Sequence, residues 1–229
     1  MGGRIKGSRL SYLVSTLLFM LAVTGPASAG LTFTQLDRSV RLLSTSENRL
    51  GTSNGGSWSQ RLIEVTDQRS MRVSQTSWLH GAGIVAEGCV DASALPGSIG
   101  AEWRAESLFE LDFQIGLDGT RMTYDIRGQC GGVRSTVAIY LERRGVGGGS
   151  LFAIELRPDS GDQDTQWGSM DLEPGSYWLS ALARAVSAGG GSTESARFTV
   201  DLSFASIPAP SAVLLLSVVP ILCSGRRRG

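Results

Sequence analysis

Polar and apolar residues alternate with a period of two along the middle of this chain. In the stretch SLFELDFQIGL, Ser107, Phe109, Leu111, Phe113, Ile115 and Leu117 share one side. Leu108, Glu110, Asp112 and Gln114 share the other. Successive side chains of a strand point to opposite faces, so this pattern predicts a strand with one apolar and one mostly wet face. Asp118-Gly119 follows, a pair that tolerates positive φ at both positions, and the chain returns with Met122, Tyr124 and Ile126 on one face. The pattern predicts a β-hairpin over 107–127.

The same reading gives further strands. Val133, Ser135, Val137, Ile139 and Leu141 alternate with Arg134, Thr136, Ala138, Tyr140 and Glu142, and Phe152, Ile154 and Leu156 alternate with Ala153 and Glu155. Glu173-Pro174-Gly175 suits a type II turn. After it, Tyr177, Leu179, Ala181, Ala183 and Ala185 share a face while Trp178, Leu182 and Val186 make the other apolar as well, which predicts a central strand buried on both sides. Ala196, Phe198, Val200, Leu202 and Phe204 mark a last strand. Glycine-rich loops fall at 51–56, 145–150 and 188–192. The stretch LTFTQLDRSVRLLST reads as two short strands or as a strand and a helical turn. About eight to ten strands between turns predict an all-β, antiparallel sandwich or jelly roll.

The ends of the chain read differently. Residues 1–29 carry Arg4, Lys6 and Arg9, an apolar run from Leu10 to Val23, a Gly25-Pro26 break and a small-residue site from Ala27 to Ala29. That is the order of a secretory signal, with the exported chain beginning at Gly30; a retained anchor is disfavoured because a span needs about 20 apolar residues. At the other end, a proline pair (Pro208, Ala209, Pro210) precedes an apolar run from Ala212 to Cys223 and then Arg226, Arg227 and Arg228. A helix of that length reaches only about 18 Å, against a hydrocarbon core of about 30 Å. The terminal arginines favour a cytoplasmic C-terminus.

Composition sharpens the picture once the ends are set aside. The chain has 21 basic and 21 acidic residues. Removing the six terminal basic residues leaves 15 against 21, a net of about −6 with no lysine. Such a domain is a poor partner for nucleic acid, which needs clustered cations. Cys89 and Cys130 are either a disulfide formed after export or two separately buried thiols.

Candidate chemistry is sparse. His80 is the only histidine, and no serine sits in a G-x-S-x-G elbow, so no nucleophile–base pair emerges. Glu110, Asp112 and Gln114 share a strand face, with neighbours about 7 Å apart, near the separation that glycoside hydrolysis uses. This resembles the Glu-x-Asp-x-Glu signature of laminarinase-like jelly-roll glycosidases. However, Gln114 stands where that family has its acid/base glutamate, and an amide cannot exchange that proton. Asp159, Asp162 and Asp164 offer oxygen ligands on a tight loop, the basis for a weak Ca²⁺ site; no other cofactor is indicated. Of the five tryptophans, Trp58 and Trp167 lie in or beside polar loops and are the candidates for stacking on sugar rings.

The three-part tail resembles the PEP-CTERM sorting signal of Gram-negative and planctomycete-type bacteria. Pro208 to Pro210 match its proline motif with Ala209 in place of glutamate, Ala212 to Cys223 its short membrane segment, and Arg226 to Arg228 its basic end. The resemblance implies a domain at 30–206, transient anchoring at the inner membrane through 207–229, and processing by signal peptidase and an exosortase-like enzyme. It further implies release to the cell surface or the exopolysaccharide matrix. The expectation is an exported, non-enzymatic surface or matrix protein. A carbohydrate-binding module with calcium assistance is the alternative, and a jelly-roll glycosidase the third reading.

Overall fold

A computed structural model describes residues 30–43, 48–51, 56–97, 102–116, 119–157 and 163–207. The signal segment 1–29, the tail 208–229 with Cys223, and Asp159 and Asp162 lie outside the described residues. Among the described residues twelve strands run in order: β1 (Leu31–Leu42), β2 (Asn48–Gly51), β3 (Gly56–Val65), β4 (Arg69–His80), β5 (Gly83–Ala94), β6 (Trp103–Ile115), β7 (Thr120–Gly131), β8 (Ser135–Arg143), β9 (Ser150–Leu156), β10 (Gln163–Leu172), β11 (Gly175–Ser187) and β12 (Thr193–Ser206).

They form two six-stranded sheets packed as a β-sandwich. Sheet A has the order β2-β1-β6-β11-β8-β9, and sheet B the order β10-β7-β12-β5-β4-β3. Every strand pair is antiparallel. The period-two faces predicted above are the inner faces: Phe109, Leu111, Phe113, Met122, Ile126, Val137, Ile139, Leu141, Leu179, Phe198, Val200 and Leu202 are buried between the sheets. Phe113 stacks on Tyr177 within sheet A at 5.5 Å and meets Phe204 of sheet B edge-on, tying the layers together.

Phe198 shows how the interior is fitted. It faces Gly88 of β5 on one side and Gly128 of β7 on the other. A Cβ at residue 88 would stand 2.2 Å from the Phe198 ring, and one at residue 128 would stand 3.0 Å from Val137. Glycine inside a strand weakens it, and here the vacancies let a large ring and the opposing sheet occupy the same layer.

Several expectations are corrected. The segment 107–127 is not a hairpin: β6 lies in sheet A between β1 and β11, and β7 in sheet B between β10 and β12. Both strands present apolar inner faces, so alternation was correct for each, but β6 packs across the core on β5 and β4, and β7 on β8 and β9, instead of the two pairing edge to edge. The residues from Leu31 to Leu42 form one strand with a bulge between Phe33 and Gln35, not two elements. Strand β11 is central, as predicted, yet Trp178, Leu182 and Val186 on its outer face are half-buried rather than buried. Val133 precedes β8 and is exposed. Pro174-Gly175 steps from sheet B to sheet A. Gly189, Gly190 and Gly191, all at positive φ, carry the chain back across to β12.

Cys89 and Cys130 are free thiols. Cys89 faces outward on β5, whereas Cys130 faces the core on β7, with β12 between them. Opposite faces of one sheet cannot be bridged without moving backbone. Burial pushes the Cys130 thiol up from its ordinary pKa.

Candidate functional site

The outer face of sheet B is broad and polar, and two indoles stand on it. Trp167 of β10 is 79% exposed and Trp78 of β4 is 57% exposed. The ladder places them on one line. Trp167 pairs with Asp125, Asp125 with Asp201, Asp201 with Val85, and Val85 with Trp78. Each of these side chains belongs to the outward set of its strand. The next line is Thr165, Arg127, Thr199, Glu87, Thr76 and Ser59, with hydroxyls alternating with charges from Thr165 to Thr76.

Trp78 is braced by His80, whose ring lies 5.3 Å away at 55°. Beside it is an open hollow of about 370 Å³ with Ser57, Ser59, Thr76, Val85 and Glu87 in its walls. A second hollow of about 400 Å³ continues along the same face past Arg72, Ser74, Cys89, Arg197 and Thr199. Charge on this face is balanced: Arg61, Arg72, Arg121, Arg127 and Arg197 stand against Glu87, Asp91, Asp125, Asp171 and Asp201. Arg127 pairs with Asp125 at 2.6 Å and Arg121 with Asp171 at 2.7 Å. The arginine hydrogen bonds hold both carboxyls below the usual carboxylate range.

The outer face of sheet A carries a smaller hollow of about 180 Å³ lined by Gln35, Asp37, Glu110, Asp112, Arg144 and Trp178. Asp37 lies directly across from Glu110, and Trp178 across from Asp112. Arg144 pairs with Asp112 at 3.0 Å and covers the Trp178 ring at 5.4 Å. Gln35 donates to Asp37 at 3.0 Å. Burial pushes the Glu110 carboxyl up, and the neighbouring Asp37 and Asp112 carboxylates push it further; Ser180 and Arg144 oppose the shift. Gln114, the third member of the strand-face motif, is exposed and outside this group.

Of the residues singled out from sequence, Trp167 is exposed as expected. Trp58 is half-buried: it packs against the core with the buried Arg38 guanidinium 6.0 Å from its ring centroid, and it also borders the hollow beside Trp78. Asp164 is half-buried on β10, and among the described residues no three His, Cys, Asp or Glu side chains are grouped to hold a metal. Sequence reading passed over Trp78, although the signal was present: in MRVSQTSWLH, Met71, Val73 and Leu79 define the inner face and leave Trp78 with Arg72, Ser74 and Thr76 outside. Asp37 and Arg144 were passed over as well, and only the strand order brings them to Glu110.

No protein-family model matches the chain, and no curated protein matches it. Solved structures give distant likenesses. A carbohydrate-binding module, TmCBM61 in complex with β-1,4-galactotriose, aligns over 60% of this chain and 88% of its own at 12% identity and a TM-score of 0.27. The enzymatically active domain of bacteriophage CBA120 tailspike protein 4 aligns over 68% of this chain and 21% of its own at 14% identity and a TM-score of 0.23. The infectious bursal disease virus Gx strain structure aligns over 81% of this chain and 59% of its own at 9% identity and a TM-score of 0.25. Alignments of this size define neither a shared family nor a shared ligand.

Proposed function

We propose that this is an exported, non-enzymatic protein of the cell surface or extracellular matrix whose β-sandwich binds polysaccharide through the outer face of sheet B. The observation that carries the binding reading is the placement of Trp78 and Trp167, both exposed, on one cross-strand line of a polar face. Indole rings present a flat apolar surface that suits the C–H face of a pyranose, and flanking hydroxyl and charged groups suit its hydroxyls. The export reading rests on the residues of 1–29 and 207–229.

A hydrolytic role is the less favoured reading. Its acids sit in a hollow of about 180 Å³, below the roughly 300–1,000 Å³ of ordinary ligand sites. Asp112 is engaged by Arg144. The deciding experiment is affinity electrophoresis of the full chain, purified in mild detergent, through gels containing soluble polysaccharides. Retardation by at least one polymer, lost in Trp78→Ala/Trp167→Ala, is expected. Equal mobility of both proteins in every gel would refute polysaccharide binding through this face.

A further inference from the structure

Resting on that reading, we infer that the outer face of sheet B recognises a single uncharged glycan chain by its length. The chain lies across the strands, one part stacked on Trp167 and another on Trp78. The two tryptophans are four strand-to-strand steps apart, from β10 through β7, β12 and β5 to β4. At about 4.8 Å per step the separation is ~19 Å. No single sugar ring bridges that distance, so a short oligosaccharide reaches one indole and a longer one reaches both. Linking two weak contacts through one ligand makes the second contact intramolecular and raises affinity without any new interaction.

The surface between the indoles selects the chemistry of the chain. Five arginines and five carboxylates share the face. A polyanion would meet Asp125 and Asp201 on the line joining the two rings, and a polycation would meet Arg127 and Arg197 beside it. A neutral chain rich in hydroxyls meets neither penalty and finds Thr199, Thr76 and Glu87 alongside.

The geometry also selects against flat surfaces. Neighbouring strands rotate by roughly 20°, so the four steps turn the face through roughly 80° about the line of the indoles. The sheet face beneath Trp167 and the sheet face beneath Trp78 therefore point about a quarter turn apart. A free chain in solution can wind through that turn, whereas the plane of a crystalline polysaccharide touches one ring at a time.

Calorimetric titration of the full chain in mild detergent tests this with size-graded oligosaccharides of neutral β-glucan, galactan and mannan. Alginate and microcrystalline cellulose serve as the charged and flat comparisons. For the polymer that binds, affinity should rise about tenfold to a hundredfold between fragments shorter and longer than the span. Either Trp78→Ala or Trp167→Ala should remove that rise and leave weak binding of short fragments. Binding that is independent of length, or stronger for alginate or cellulose, would overturn length-gated neutral-chain recognition and leave polysaccharide binding standing. Absence of binding to all these polymers would overturn both. Unfolding midpoints equal to that of the parent protein, expected because both indoles are exposed, show that the variants are folded.

Discussion

The fit of Phe198 against Gly88 can be tested by adding one carbon. Alanine at 88 places its Cβ 2.2 Å from Phe198 Cε1, 2.6 Å from Phe198 Cζ and 2.6 Å from Ser107 Oγ. Phe198 and Ser107 are both fully buried, so neither has room to swing away. Overpacking of this kind costs about 1–3 kcal/mol, and replacing a strand glycine by alanine returns about 0.5–1 kcal/mol of backbone entropy. The clash wins, and Gly88→Ala should be destabilised by about 1–2 kcal/mol. Phe198→Ala alone should cost about 3–5 kcal/mol through lost burial and the void left behind. In the double variant the void takes the new methyl and gives Ser107 Oγ room to shift, so the overpacking is relieved while the backbone gain remains. The double variant should therefore be more stable than the sum of the singles by about 1–3 kcal/mol. Urea unfolding followed by tryptophan fluorescence reads all four corners of this cycle. A neutral Gly88→Ala, or singles that add to within about 0.3 kcal/mol, would show that the ring does not rest on Gly88.

Three further outcomes follow from other parts of the fold. The Glu110 carboxyl is raised above its ordinary pKa, chiefly by burial and then by Asp37 and Asp112. The folded state therefore holds that proton more tightly than the unfolded state, and stability falls as pH rises through the window between the unfolded and folded values. Glu110→Gln should flatten this slope and gain relative stability above the window, with the difference vanishing below the ordinary carboxylate range; urea midpoints from pH 3 to 8 would check it. Cys89 and Cys130 are unbridged, so reducing agent should not shift the thermal midpoint, and iodoacetamide should label Cys130 only on unfolding. Glu194 is buried and accepts from the Arg134 backbone N–H at 2.7 Å and from Ser135 Oγ at 3.2 Å. Removing it in Glu194→Ala strands the Arg134 N–H, while Ser135 keeps its hydrogen bond to the Gly131 carbonyl at 2.7 Å, and should cost about 1–3 kcal/mol in urea unfolding.

What could be read from sequence was the face of each strand, and what could not was its sheet. Alternation correctly turned Phe109, Leu111 and Phe113 inward because burial acts residue by residue with a period of two. The same signal is silent on edge-to-edge partners. Leu111 pairs with Leu36 and Leu179, which lie 75 and 68 positions away in the chain. A two-residue turn signal at 118–119 suggested a local partner, but apolar inner faces on both β6 and β7 are satisfied equally well across the core. The cysteines show the same division. Period two would have set Cys89 apart from the inward Val90, but without the order β5-β12-β7 nothing related it to Cys130.

The candidate face depends most on what alternation leaves out. Trp78 and Trp167 are 89 positions apart in the chain, and each was readable as outward-facing only from its own strand. Their alignment requires four ladders to be in register at once, β10 on β7, β7 on β12, β12 on β5 and β5 on β4. A slip of one residue among β7, β12, β5 and β4 would turn an apolar set outward, so burial of Ile126, Val200 and Ala86 locks those ladders, while β10, with Asp164, Gln166 and Gly168 in its inner set, is held mainly by Met170 and the buried Leu172. The core thus sets the spacing of the surface site: inner-face packing fixes register, and register fixes where the outward rings stand. A substitution that disturbed this packing, such as Val200→Asp, should degrade recognition of long chains before that of short ones, because only the former needs both rings in place. Comparing the two affinities in such a variant against Trp78→Ala would separate loss of alignment from loss of a ring. Equal losses for long and short fragments would show that the line of contact does not depend on the core beneath it.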